Sequence, residues 1–247
     1  MEKHVLIIIP AYNEEKNICN VIRAYRENDV STFSDLIVID DGSKDQTAAV
    51  ARQEGAKVIS QIYNMGYGAA LQTGYKYAVN KGYEYVIQLD ADGQHDIQNI
   101  SWIYQKLTHP DEKNVVPDIV IGSRFLNGSL SFRMSRIRMF AIRMFRFAIK
   151  AATRTVITDP TSGLQGLNRK AFTCYARFNQ FDIMYPDINM ILQMLLMGYR
   201  VEEIPAIMHL RTEGIAMHSG VWKPIKYMVL MAVSSMLAFL RYRKIEH

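Results

Sequence analysis

The stretch YVIQLDADGQHD, residues 85–96, joins a short β-branched run to three aspartates and a histidine. The run reads as a strand buried on both faces. Carboxylates crowded at its end repel one another and are costly to desolvate. A divalent cation removes the conflict. Oxygen donors suit Mg²⁺ or Mn²⁺, which keep positions open for phosphate oxygens. Asp90 and Asp92 flank Ala91 and can reach one cation, with Gln94 and His95 available to complete the shell. An EF-hand fails on spacing, because Gly93 and Ser101 stand where such a loop has other residues. The plainer alternative is a turn whose aspartates cap a helix from 97, but a cap needs only one of the three.

Outward from this stretch the pattern alternates. HVLIII (4–9), LIVID (36–40), KVISQI (57–62) and DIVIG (118–122) are further strand-like runs. Helical patterns lie near 14–28, 44–54, 67–81 and 97–108. Asn13 with Glu14 and Glu15 reads as a helix start, and DGS (41–43) as a turn that caps the next helix. Strand–helix alternation predicts an α/β fold, a mostly parallel central sheet with helices on both faces. Ligands on such sheets sit at the carboxyl ends of the strands, where PAYNE, DDGS and DADGQHD all fall.

The 247 residues suit one large α/β domain, or one domain with a helical appendage, and 49% apolar content is ample for a core. The net charge of +5 is mild and fits an anionic partner such as phosphate or a membrane surface. No nucleic-acid partner is expected. Cys19 and Cys174 form no CxxC pattern, which argues against a disulfide framework or zinc site and fits a reducing compartment. MEKHVLIIIPAYNEE has too short an apolar run for a signal peptide. YMVLMAVSSMLAFL (227–240) stops short of the roughly 20 residues of a membrane span.

NMGYGAALQTG (64–74) resembles a glycine-rich phosphate loop opening a helix, but Leu71 stands where G-x-G-x-x-G needs its third glycine. A nicotinamide enzyme is therefore disfavoured, while a backbone approaching a nucleotide is not.

From 123 to about 158 the chain turns basic, with no acidic residue between Asp118 and Asp159. Ile137, Phe140, Ala141, Met144, Phe145, Ala148 and Ala152 recur at helical spacing among arginines. This reads equally as a membrane-surface helix or as a solvated basic face packed on the core. A helix near 187–197, a strand near 200–208 and a C-terminal helix from about 223 follow. The apolar last helix is flanked by Lys223, Lys226, Arg241, Arg243 and Lys244.

IPAYNEE (9–15), VIDDGSKDQT (38–47), NMGYGAALQTG (64–74), LDADGQHD (89–96), GSR (122–124), DPTSGLQGLNR (159–169) and GYRVEEIP (198–205) occur in one order. Together they resemble family 2 glycosyltransferases, above all the branch of dolichol-phosphate mannose synthases and bacterial polyprenyl-phosphate glycosyltransferases. The resemblance covers residues 5 to about 215.

It implies a nucleotide-diphospho-sugar transferase (GT-A type) fold and an inverting, Mg²⁺- or Mn²⁺-dependent transfer from a nucleotide-diphospho-sugar. Pro10, Ala11, Tyr12 and Glu14 would contact the nucleotide. Asp41 would bind the base edge beside Asp40, and Asn64 and Gly68 would lie along the nucleotide. Asp90 and Asp92, with Gln94, would hold the metal. Arg124, Arg138 and Arg211 would bind an acceptor phosphate, with Arg136 as substitute for Arg138. Asp187 stands where relatives place an acidic residue that is in some cases the general base. HLRTEGIAMHSG (209–220) departs from the family ending, in which a lysine is common, and puts His218 forward as a phosphate contact.

The leading expectation is transfer to a polyprenyl phosphate, catalysed through Asp92, Asp187 and Arg124, with a UDP-sugar as donor, for cell-surface glycan synthesis. A phosphate is already an oxyanion and needs cations to position it. A sugar hydroxyl on a lipid-linked or surface glycan would instead need a base, Asp187. A nucleotidyltransferase is disfavoured because its glycine-rich first loop is absent, and a non-catalytic nucleotide-binding module because DADGQH is intact. Residues 1–220 are expected to form the catalytic domain, with a basic interface helix at about 134–152, and residues 221–247 a membrane-associating or oligomerising helix. That arrangement implies a cytoplasmic enzyme peripheral to the inner membrane face, open to a small membrane-protein partner or a second copy.

Overall fold

A computed structural model describes residues 4–132, 134–184, 186–210 and 222–242. The chain runs β1 (Val5–Ala11), α1 (Ile18–Glu27), α2 (Val30–Phe33), β2 (Ser34–Asp40), α3 (Thr47–Gln53), β3 (Lys57–Ser60), α4 (Tyr67–Lys81), β4 (Tyr85–Gln88), α5 (Gln98–Thr108), β5 (Ile119–Ser123), α6 (Arg136–Thr153), β6 (Gln165–Asn168), α7 (Arg169–Ala176), α8 (Ile188–Leu196), β7 (Val201–Pro205) and α9 (Trp222–Tyr242).

The strands form one sheet in the order β3-β2-β1-β4-β6-β5-β7. All pairs are parallel except those of β6, which runs antiparallel to β4 and β5. Alternation along β1 serves both faces. Leu6 and Ile8 pack with Leu71 and Tyr75 of α4 and Phe172 of α7. Val5, Ile7 and Ile9 pack with Ile18 and Ile22 of α1 and Ile100 and Ile103 of α5. Each such side chain contributes about 1.5–3 kcal/mol on burial, so a one-residue slip of β1 is strongly disfavoured.

β6 and α7 were not expected. QGLN is short, polar and free of β-branched residues, so nothing in it signals a strand. Tertiary packing decides it. A Cβ on Gly166 would come 2.1 Å from Ile103 Cγ2, so the bare glycine is what lets α5 close over β6.

Two cap expectations fail. Asn13 starts no helix; its φ is +55° and α1 begins at Ile18. DGS does not cap α3, which starts at Thr47, where Asp45 Oδ1 accepts the Thr47 N–H at 3.0 Å.

The basic segment forms α6, but with a different inward face. Ile142 and Ile149 are buried, whereas Phe140 and Met144 of the expected stripe are exposed, as is Phe147 outside it, and Phe145 alone of the stripe's aromatics packs on the core. α9 lies along α8. Among the described residues no helix is long and apolar enough to cross a membrane.

Candidate active site

The order in which the chain adds strands reverses between the parallel neighbours β1 and β4: β2 and β3 extend to one side, and β6, β5 and β7 to the other. In such sheets the crevice beyond the strand ends at this switch receives ligands. Ala11, Asp40 and Gln88, the last residues of β1, β2 and β4, open onto it.

The loop after β1 is laced to the loop after β2. Lys44 N donates to Asn13 Oδ1 at 2.8 Å, Asn13 N to Ser43 Oγ at 3.0 Å and Glu14 N to Thr47 Oγ1 at 2.8 Å. Gln46 N donates back to Glu15 Oε2 at 3.0 Å. These bonds, rather than a helix cap, explain the polar residues of PAYNEE and DDGSKDQT. Pro10 and Ala11 are buried in β1, and Tyr12 is exposed at its mouth.

Asp41 is buried, and its carboxylate clamps the start of α4. Oδ1 accepts from Met65 N at 2.8 Å and Oδ2 from Gly66 N at 2.9 Å. Burial pushes this carboxyl up, against the lowering pull of the two N–H groups. The clamp needs Gly42, whose φ is +67° and whose Cβ would lie 2.7 Å from Tyr63 C. Asn64 is exposed on the clamped loop. Gly68 has a different neighbour from the nucleotide expected beside it. A Cβ there would come 2.6 Å from the Ile183 carbonyl oxygen and 2.7 Å from that of Asp182, so its bareness admits the 182–183 backbone.

Asp90 is held from three sides. The Tyr67 hydroxyl donates to Oδ1 at 3.0 Å, and His95 Nε2 lies 3.3 Å from Oδ2. On the third side the bare Cα of Gly163 leaves room, where a Cβ would be 2.6 Å from Oδ2. Burial alone would raise the Asp90 carboxyl, but His95, the Tyr67 hydroxyl and the more distant charge of Arg124 outweigh it and leave it below its ordinary value. Burial pushes the Tyr67 hydroxyl well up, and the charges of Asp90 and Asp187 act in the same direction.

The rest of DADGQHD is tied down by backbone. Gln94 N donates to Asp92 Oδ1 at 3.0 Å, and His209 N to the Gln94 carbonyl at 2.7 Å. Asp96 takes the local role: its Oδ1 accepts Gln98 N at 2.8 Å, at the start of α5. His95 is buried, with Nε2 on Asp90 and Nδ1 without a partner among the described residues. It stands behind Asp90 rather than completing a metal shell.

Asp90 and Asp92 are therefore the carboxylates that could hold a cation, with the Gln94 amide as neighbour. No cluster of three His, Cys, Asp or Glu capable of holding a metal occurs among the described residues. Two hard oxygen donors fit Mg²⁺ or Mn²⁺ sharing phosphate oxygens, not a closed zinc site.

Arg124 corrects an expectation. Its side chain is buried in a two-pronged pair with Asp159, Nε to Oδ2 and Nη2 to Oδ1, each at 2.6 Å. Nη2 also donates to Thr161 Oγ1 at 2.7 Å. A guanidinium committed in this way holds the 159–161 loop and does not stand open for a phosphate. Arg136 and Arg138 lie exposed in the first turn of α6, where Ser135 Oγ accepts Arg138 N at 3.3 Å. Asp187 immediately precedes α8. Arg211 and His218 lie outside the described residues.

Sequence reasoning passed over Tyr67, Asp159 and Gly163. Tyr67 and Gly163 carry no local signal, since each is defined by Asp90, distant in sequence. Asp159 had one in hindsight: an acid closing a long basic segment.

The sheet order and the acidic pair at its switch define a nucleotide-diphospho-sugar transferase (GT-A type) fold. Glucosyl-3-phosphoglycerate synthase from Mycobacterium tuberculosis, solved with Mn²⁺, UDP-glucose and phosphoglyceric acid, superposes with a TM-score of 0.67 at 18% identity, over 96% of this chain and 80% of that one. The family described as glycosyl transferase family 2 matches residues 6–176, and the chain belongs to it. UDP-N-acetylglucosamine–dolichyl-phosphate N-acetylglucosaminyltransferase from Methanococcus voltae is 30% identical over 69% of this chain and 71% of its own length. Polyprenol monophosphomannose synthase from Mycolicibacterium smegmatis is 24% identical over 88% of this chain and 82% of its own. Among the first curated relatives it matches, the matched part spans from 40% to 82% of their length, and 65% of that of the first.

Proposed function

We propose that this glycosyltransferase moves a sugar, with inversion, from a UDP-sugar to a polyprenyl phosphate. The observation that carries the reading is Asp90, kept ionised by Tyr67 and His95 at the β1/β4 switch with Asp92 two residues on. The acceptor follows the relatives, two of which are named for transfer to, or formation of, lipid monophosphates.

Asp90 and Asp92 would hold Mg²⁺ or Mn²⁺. Such an ion, when bound, neutralises the diphosphate and stabilises charge on the departing nucleoside diphosphate. The chain's own residues do the rest. The laced loops after β1 and β2, with Pro10, Ala11, Tyr12, Glu14 and Asp41, shape the nucleotide side. The acceptor oxygen attacks the anomeric carbon as the bond to the diphosphate breaks, and one such displacement inverts the centre. A phosphate acceptor needs no base, only cations. With Arg124 committed to Asp159, that role passes to Arg138 and Arg136 on α6 and, in the following segment, to Arg211 and His218.

α6 and α9 support action at a membrane's inner face. Phe140, Met144 and Phe147 are exposed beside Arg143 and Lys150, and Val233, Met236, Leu237 and Leu240 are exposed on α9. Apolar side chains interleaved with cations suit an anionic lipid surface.

One observation favours a second reading. Asp187 immediately precedes α8, its N–H held by Asn189 Oδ1 at 3.0 Å, on the chain that follows the 182–183 carbonyls packed against Gly68. Transfer to a sugar hydroxyl would use Asp187 as the base.

The test is a panel of radiolabelled UDP-, GDP- and dTDP-sugars with Mn²⁺ or Mg²⁺ and undecaprenyl phosphate as sole acceptor. Label entering the lipid phase, and lost in Asp92→Asn, is expected. Donor hydrolysis without lipid labelling would transfer the reading to a hydroxyl acceptor.

A further inference from the structure

The segment between α7 and α8 touches both the candidate centre and the C-terminal helix. At one end, the carbonyls of Asp182 and Ile183 sit against the bare Cα of Gly68, next to Tyr67. At the other, the half-buried Asp182 carboxylate bonds to α9. Ser234 Oγ donates to Asp182 Oδ2 at 2.8 Å. Asn189 Nδ2 donates to the same oxygen and to Ser234 Oγ, each at 2.8 Å. Asn189 Oδ1 accepts Asp187 N at 3.0 Å, and Asp182 Oδ1 accepts Met184 N at 2.9 Å.

The donors and acceptors close. Asn189 uses both amide hydrogens and its oxygen, and the Ser234 hydroxyl gives one bond and takes one. Asn189 is buried, so each bond lost there leaves a polar group unmatched. A satisfied hydrogen-bond network centred on a buried side chain rigidifies what it holds. What it holds here is the backbone that carries Asp187 and covers the first turn of α4.

We propose that Asp182, Asn189 and Ser234 form a positioning triad that fixes the Asp182–Ile183 backbone against the first turn of α4, beside Tyr67, and holds Asp187 in place, making α9 a working part of the catalytic centre rather than a separable membrane appendage. The inference rests on the glycosyltransferase reading of the Asp90–Asp92 site. It assigns Ser234, on a helix packed along α8, a role in turnover.

Ser235 supplies the control. It is the next residue of α9, and its hydroxyl is buried without a partner among the described residues. The experiment compares Ser234→Ala, Ser234→Thr, Ser235→Ala and Asp92→Asn in the full chain. It measures kcat and donor KM for Mn²⁺-dependent transfer from a UDP-sugar to undecaprenyl phosphate, with melting temperatures alongside. Ser234→Ala is expected to lower kcat about tenfold at near-constant donor KM, with the melting temperature lowered by only about 2–8 °C, so that the chain stays folded at the assay temperature. Ser234→Thr, which keeps the hydroxyl, and Ser235→Ala are expected to stay near wild type. Equal loss in Ser234→Ala and Ser235→Ala would show general loosening of α9 and overturn the triad. So would a fully active Ser234→Ala beside an inactive Asp92→Asn. An active Asp92→Asn would overturn the functional reading beneath it instead.

Discussion

The Tyr67 hydroxyl donates to Asp90 Oδ1 across 3.0 Å, joining the first residue of α4 to the first acid after β4. The bond orients a carboxylate before any cation arrives, and groups behind a metal ligand commonly tune affinity 10–100-fold. Tyr67→Phe keeps the ring and removes the bond. It is expected to weaken Mn²⁺ binding about tenfold, read by electron paramagnetic resonance titration without substrate. A lost hydrogen bond to a charged group costs about 1.5–3 kcal/mol, so the fold should persist at a lowered melting temperature.

Gly163→Ala tests the same carboxylate from the opposite side. The added methyl would lie 2.6 Å from Asp90 Oδ2, so the carboxylate or the loop must shift. Mn²⁺ affinity and transfer should fall together, by tenfold or more, while far-ultraviolet circular dichroism stays that of wild type.

Arg124 and Arg138 should separate cleanly. Removing Arg124 leaves Asp159 buried without its cation, and breaking such a pair costs about 3–5 kcal/mol. Arg124→Ala should therefore lower the denaturant midpoint sharply. Arg138→Ala, at an exposed position, should leave stability within about 0.5 kcal/mol and raise the KM for undecaprenyl phosphate.

Arg200 binds two carboxylates, at 2.6 Å to Glu202 Oε1 and closely to Asp111 Oδ2. Burial would raise Glu202, but Lys106 and Arg200 outweigh it and hold it below its ordinary value; two N–H groups and Arg200 do the same for Asp111. A carboxyl held low binds fewer protons folded than unfolded in that window, so stability rises with pH there. Its contribution is complete above the unfolded value, near 4.5 for Glu202 and 3.8 for Asp111, and is lost as pH falls through the lowered folded value. The melting-temperature gap between wild type and Arg200→Ala should be steady from pH 7 to 5 and shrink below about pH 4.

The exposed apolar residues of α6 predict lipid dependence. Phe147, 75% exposed, touches little of the protein, so Phe147→Glu should barely change stability. It should reduce co-sedimentation with phosphatidylserine vesicles at low salt, and the Phe140→Glu/Phe147→Glu pair should reduce it further. Equal sedimentation of wild type and the double variant would exclude α6 as the lipid-facing element.

Much of this was legible along the chain, because some information is local. Strand and helix periodicity placed β1, β2, β4, β5, α4 and α5 within a few residues. The acidic run after β4 marked the crevice, since like charges at a strand end need a reason. The motifs in their order were enough to indicate the family. Where propensity was weak, reading failed: β6 is four residues whose strand state depends on β4, β5 and the helix closing over Gly166.

The assignment of single residues depended on contacts between segments far apart in sequence. Arg124 reads as a phosphate ligand until Asp159 is seen on it. Gly68 reads as a nucleotide loop until the 182–183 carbonyls are seen above it, and Phe140 and Met144 of the expected apolar stripe of α6 prove to face outward. Sequence alone determined the layered α/β plan and the acidic crevice, because periodicity and charge crowding act between neighbours along the chain. Only the tertiary structure decided which charges are already paired and which stand open, because an ion pair or close backbone approach forms between segments that meet only when the sheet is closed.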